Sequence, residues 1–164
     1  MEVYVSVCTN KSFCDLATVY RDFSNHNIQV RSIHQPRNCD YSTIERTYVT
    51  YQITLHRSLG WGVTRSWRTS HTTQLPDGWF FEHGPDVFVH SYERPIDDSL
   101  VHVLCDAFGT VRNIEYKHAP DIRHYHAKIT MSCAMMACAL VQIQNGFLNH
   151  DRCIFVNFNP FPFT

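Results

Sequence analysis

Two hydrophobic rhythms take turns along the chain. "VFVHSY" (87–92) places branched or aromatic residues at alternate positions, the period of a strand. "DDSLVHVLCDAFG" follows with Leu100, Leu104 and Phe108 four residues apart, one face of a helix. Asp97 or Asp98 is placed to cap that helix and Gly109 to end it. "VRNIEYKH" (111–118) returns to strand, Ala119-Pro120-Asp121 is a turn, and "HYHAKITM" (124–131) is a further strand. "CAMMACALVQIQ" is helical, with Ser132 as its cap and Met136, Leu140 and Ile143 along one face. Asn145-Gly146 stops it, and "CIFVNF" (153–158) closes as an alternating strand.

The order β-α-β-β-α-β predicts an α+β, ferredoxin-like fold: a four-stranded antiparallel sheet with two helices on one face. The last strand must run back beside the middle of the chain to complete the sheet, which explains the sharp stop at Asn145-Gly146. The face without helices is left open to a partner.

The first half begins in the same way. "EVYVSVC" (2–8) is a strand. "SFCDLATVYRDF" is a helix with Ser12 as cap and Phe13, Leu16, Val19, Tyr20 and Phe23 as apolar positions, and "IQVRSI" (28–33) and "TYVTYQITL" (47–55) are strands. After this β-α-β-β unit the pattern fails. "HRSLGWGVTRSWRTSHTTQL" has too many glycines and β-branched residues for a helix, so 57–84 reads as a connection with short extended pieces near Gly62–Trp67 and Trp79–Glu82. The expected division is a degenerate domain at 1–84 with a long loop, and a second domain at 85–164.

Composition narrows the classes. The chain has 164 residues, 44% of them hydrophobic and 18% charged, which suits globular folding and excludes a disordered sequence. It has no apolar run long enough to span a bilayer, and "MEVYVSVCTNKSF" does not read as an export signal. The expectation is an intracellular protein, nuclear or cytoplasmic, with no membrane partner. Its seven cysteines, an odd number at irregular spacing, argue against a disulfide framework. Net charge is −1, with eight cationic against seven acidic side chains before Pro85 and six against eight after it. A polyanion binder ordinarily shows a basic excess.

From about residue 86 to 158 the sequence resembles the RNA recognition motif family. "VFVHSY" is similar to its first-strand motif, "LCDAFGTVRNIEY" to its helix-to-second-strand junction, and "ALVQIQNGFLNHDRCIFVNF" to its closing helix, Asn-Gly turn and fourth strand. "VYVSVC" and "TYVTYQITL" resemble the signature strands of a degenerate second copy at 1–56. The resemblance implies a non-enzymatic protein that binds single-stranded RNA. The third strand departs from the family pattern. With Ala127, Ile129 and Met131 facing the helices, the two expected stacking aromatics are His126 and Lys128, beside His124.

Alternation assigns the open face. With Val87, Val89, Ile154 and Val156 turned to the helices, Phe88 and His90, then Cys153, Phe155 and Asn157, face outward, joined by Glu115 and Lys117. The RNA-binding candidates are Phe88, His90, Lys117, His126, Lys128, Phe155 and Asn157. The rings would carry bases, the lysines phosphates, and Asn157 a base edge. Phe161 and Phe163 in the tail are placed to fold over the same face. Two other readings stand beside this one: Phe88 and Phe155 form a core with the first half, or they dock a protein partner in a ribonucleoprotein or regulatory complex.

Other motifs are weaker. His124, His126, Cys133 and Cys138 lack the paired spacing of a zinc site, so no metal or cofactor is expected. His71–Thr73 is half of a two-histidine phosphoesterase signature with no second half. Gly60-Trp61-Gly62 and Gly78-Trp79 look like Argonaute-binding hooks but suit packed tryptophans better, and Trp67 is read in the same way. No cysteine lies in a nucleophile motif.

Overall fold

The computed structural model describes residues 2–10, 15–35, 46–59, 65–69, 74–119, 123–149 and 152–160. The Cα trace divides into two compact units, Met1–His56 with Thr69–His83, and Arg57–Arg68 with Gly84–Thr164. The phosphoesterase-like His71–Thr73, the Gly60–Gly62 motif, Ser12, Phe13 and the tail Phe161 and Phe163 lie outside the described residues.

The first unit opens with β1 (Glu2–Thr9), α1 (Leu16–Ser24), β2 (Val30–His34) and β3 (Thr47–Leu59). β4 (Arg65–Thr69) pairs with β3, and Arg57–Leu59 of β3 with Arg65–Arg68 of β4 fall to the second unit in this division, while the two-residue β5 (Phe80–Phe81) pairs with β1. Strand order is β2-β3-β1-β5, and β1 is antiparallel to both neighbours. The strand expected to end at Leu55 runs on to Leu59. α1 is capped by Asp15, whose carboxylate accepts the Thr18 N–H at 2.8 Å and the Thr18 hydroxyl at 3.0 Å. That hydrogen bond to the backbone holds the Asp15 carboxyl below its usual range. Only Val19 and Phe23 of α1 are buried. Leu16 and Tyr20, expected in the core, are 48% and 46% exposed, because the buried stripe is a single i, i+4 pair wide.

Among the described residues this unit has one helix. Its sheet nevertheless buries Val3, Val5, Val7, Val49, Tyr51, Ile53 and Leu55. Trp79 is also buried and packs edge-on against Phe23 at 4.9 Å. Its segment is tied down by Thr9 Oγ1 donating to the Gly78 carbonyl at 2.7 Å and by the Glu82 N–H donating to the Ser6 carbonyl at 3.0 Å. Trp79 is therefore a core residue and not a presented hook.

The second unit runs β6 (Asp86–Tyr92), α2 (Asp98–Cys105), β7 (Val111–Ala119), β8 (His124–Met131), α3 (Ala134–Gln144), β9 (Phe147–Asn149) and β10 (Arg152–Asn157). Sheet order is β7-β8-β6-β10-β9, and the pairs are antiparallel. Asp97 caps α2, accepting the Leu100 N–H at 2.8 Å. Leu100, Leu104 and Phe108 are buried as their spacing predicts, against Val87, Val89, Ala127, Ile129, Met131, Ile154 and Val156. The Cys105 thiol lies in the same interior, and burial pushes it up to about 12, the behaviour of an inert packing group.

The α3 predictions need correction. Cys133, not Ser132, is the N-cap, and it makes no side-chain cap bond. Ser132 is still engaged at the sheet end, with its N–H on the Thr110 carbonyl at 2.9 Å. The helix buries Met135, Ala137, Cys138, Ala139 and Leu140, while Met136 and Ile143 are half-buried. A helix apolar on nearly every side has no phase for periodicity to detect. Its end behaves as expected. Gly146 takes φ +85, a conformation that L side chains rarely adopt. Asn145 Oδ1 accepts the Val156 N–H at 3.0 Å, and the Gly146 N–H donates to the Ile154 carbonyl at 2.9 Å, so the stop is sewn to the strand that follows.

Candidate functional site

Register fixes which side chains share the face away from α2 and α3. Phe88 pairs with Lys128 and Asn157, His90 with His126 and Phe155, and Tyr92 with His124. On the far side of β8, Glu115 pairs with Lys128 and Lys117 with His126. Ala127, Ile129 and Met131 are fully buried on the opposite side, the register that alternation predicted. Tyr125 accordingly lies with them and stacks on His118 at 4.2 Å.

The seven candidate residues thus fall on one face, with different access. Phe155 is 42% exposed and Lys117 is exposed. Phe88, His90, Lys128 and Asn157 are half-buried. His126 is 3% exposed and His124 4%, so neither ring lies open for a base. Lys128 Nζ lies 3.9 Å from Asp86 Oδ2, and Asp86 Oδ1 accepts the Thr130 hydroxyl at 2.6 Å. Asn157 Oδ1 accepts the Asn159 N–H at 3.0 Å, which orients its amide.

Burial biases the three histidines toward the neutral form. Burial, and then the neighbouring His124 and His126, push His90 down to about 4, with a hydrogen bond to Asn157 acting weakly the other way. Burial lowers His124. Burial, followed by His124, Lys117 and His118, lowers His126. Among the described residues no group of three His, Cys, Asp or Glu side chains is arranged to hold a metal ion. Cys133 and Cys138 belong to α3, on the other side of the sheet from His124 and His126.

Tyr92 is the member of this face that the sequence reading passed over. It is 54% exposed, parallel to His124 at 4.8 Å, and edge-on to Phe155 at 6.5 Å. The signal was available: Tyr92 is in phase with Phe88 and His90 at every second position of the strand.

The order β-α-β-β-α-β, with β6 and β8 central and flanked by β10 and β7, decides the fold. The second unit has a ferredoxin-like fold, the arrangement found in RNA recognition motifs. The first unit repeats this arrangement without a second helix among its described residues, with β5 in the place of the motif's last strand.

Solved structures with recognition motifs are similar to this chain. The Rna15 motif with bound RNA (GU) is 18% identical, at a TM-score of 0.39, over 47% of this chain and 84% of that one. The N-terminal three RNA-binding domains of the yeast splicing factor Prp24 are 15% identical at 0.42, over 96% of this chain and 67% of that one. The Sxl-lethal protein/RNA complex is 12% identical at 0.38, over 97% of this chain and all of that one. No family model and no curated protein sequence matches this chain. The assignment of fold rests on the strand order and connectivity of the unit itself. No described helix is long and apolar enough to cross a membrane.

Proposed function

We propose that the chain is a non-enzymatic, intracellular protein of the nucleus or cytoplasm that binds single-stranded RNA on the open sheet face of its recognition-motif domain, 85–164, preceded by a degenerate copy within 1–84. The observation that supports this reading is the row Lys117–His126–His90–Phe155, which joins an exposed cation to an exposed ring across β7, β8, β6 and β10. Bases stack on Phe155 and Phe88. His90 and His126 form the floor between them, Lys117 and Lys128 meet phosphates, and Asn157 reads a base edge.

A second reading is favoured by one contact. Lys128 already faces Asp86, which weakens its pull on phosphate and suits a face that docks a protein in a ribonucleoprotein or regulatory complex.

Titration of labelled single-stranded RNA pools at two salt concentrations separates the two. Two lysine–phosphate contacts give a salt slope of about −1.4, so a fourfold rise in salt weakens binding about sevenfold. Phe155→Ala or Phe88→Ala removes a stacking platform worth about 1–3 kcal/mol. Absence of RNA binding at either salt, with a protein partner lost on the same substitutions, overturns the RNA reading in favour of the second.

A further inference from the structure

The end of the second sheet where β6 leaves and β8 enters carries a group of rings beyond the Phe88–Phe155 row. His90 Nδ1 lies 3.1 Å from His124 Nε2, with the ring planes 11° apart and the centroids 5.2 Å apart. A centroid spacing of two ring radii plus one hydrogen bond is that of two imidazoles lying edge to edge and nearly coplanar. It is not that of a face-to-face stack. One ring donates its N–H and the other accepts it, so the pair makes a single flat surface two rings wide.

Tyr92 lies parallel to His124, at 12° and 4.8 Å. With one side of its ring laid on His124, a residue that remains 54% exposed presents its other side to solvent. Phe155, 42% exposed, stands at 79° to it. The two rings form a right-angled corner.

The backbone at this end is also held in an unusual form. Glu93 and Arg123, which directly follow Tyr92 and precede His124, have φ of 71° and 48°, and the Glu93 N–H donates to the Arg123 carbonyl at 2.8 Å. Each left-handed non-glycine residue costs about 1–2 kcal/mol. The backbone bond closes this end of the sheet, and Arg123, next in sequence to the His124 that supports Tyr92, is exposed there. A pinned aromatic loses little rotamer freedom when a planar ligand lands on it.

We propose that the Tyr92–Phe155 corner is an additional base subsite, in which one nucleobase of the bound strand stacks on the outer side of Tyr92 with its edge against Phe155, and Arg123 meets the adjoining phosphate. This rests on the reading of the sheet face as an RNA-binding surface. Glu93 is exposed next to Arg123 and opposes the phosphate, so the ring contributes more than the guanidinium. A protein side chain in the corner is the competing occupant. Failure of the oligonucleotide test below selects it.

The test uses the full chain and short oligoribonucleotides that carry one fluorescent purine analogue at each position in turn. Wild type quenches the analogue at one position through Tyr92, and Tyr92→Leu, which keeps an apolar side chain but loses the ring, restores the emission there. Tyr92→Leu raises Kd about 5- to 160-fold. Tyr92→Phe stays within about twofold, because stacking needs the ring and not the hydroxyl. Unchanged thermal melting verifies that Tyr92→Leu is folded. Wild-type affinity in Tyr92→Leu, with Phe88→Ala still weakened, removes the subsite and leaves the sheet reading intact. Failure of the wild-type chain to bind any of the oligonucleotides removes both.

Discussion

Trp79→Ala is expected to destabilise the first unit by about 3–5 kcal/mol, the range for truncating a large buried aromatic. The reason is specific to this fold. Two helices ordinarily cover such a sheet, and the described part of this unit has only α1, whose buried stripe is Val19 and Phe23. Trp79 is buried and packs its ring edge-on to Phe23, extending the short apolar stripe of α1. Its backbone is latched to β1 through the Gly78 carbonyl, so the surrounding chain cannot readily collapse into the cavity. Trp79→Phe keeps a ring in place and should cost clearly less. Two compact units need not melt as one, so the readout is amide hydrogen exchange of β1 and β3 in each variant, with the second unit's amides as internal reference. Equal protection of β1 and β3 in wild type and Trp79→Ala would sink the claim that Trp79 holds this core.

Acid should weaken the second unit through its histidines, and the sign follows from the direction of their shifts. His90 in the folded chain sits near 4, below its ordinary 6.5, and His124 and His126 are lowered as well. Between those values the unfolded chain binds the proton and the folded chain does not. Stability is therefore full above about pH 6.5, is lost as pH falls through the window from 6.5 toward 4, and levels off below it for this group. At full strength the His90 shift corresponds to roughly 3 kcal/mol. With solvent reaching part of the ring, about 2 kcal/mol is expected.

The surroundings offer little relief to an added proton. Lys117 and His118 on β7 oppose charge on His126. Asp86 is taken up by Thr130 and lies near Lys128, and β10 presents Phe155 and the neutral Asn157. Doubly protonated, the His90–His124 pair would have two N–H groups aimed at each other and would part. Denaturant unfolding at pH 7 and pH 4.5, in wild type and in His90→Gln, measures the effect. The variant should show a pH dependence shallower by about 2 kcal/mol. Identical pH slopes in the two proteins would show that His90 is not held neutral by the fold.

The sequence carried the second unit nearly whole, because its elements alternate cleanly between period two and period three to four. β8 begins and ends where its pattern does, and Asp97 caps α2. Features set by tertiary context were hidden. β9 is three residues, too short to show a period, and β5 lies within the extended piece expected at Trp79–Glu82, although its pairing with β1 depends on a return from far along the chain. Caps failed where two eligible residues stood close together: Asp15 takes the role that Ser12 was expected to fill in the first helix. At the site, alternation told correctly which face His126 occupies but could not tell that the ring is covered, since burial depends on neighbours contributed by other strands. Tyr92 stands at the strand's end, and the support of its ring by His124 exists only once β6 and β8 are paired.

The three residues of β9 have a consequence for how this protein behaves at high concentration. Without them the sheet would end on β10, a six-residue run in which Ile154, Phe155 and Val156 lie in sequence beside a bare ladder of N–H and C=O groups. Such an edge invites another chain to add a strand, the first step toward insoluble fibres. Folding back Phe147–Asn149 moves the boundary to a stub too short to template a partner, although Leu148 remains 71% exposed there. The opposite border, β7, carries Arg112, Glu115 and Lys117, whose charges discourage edge-to-edge association.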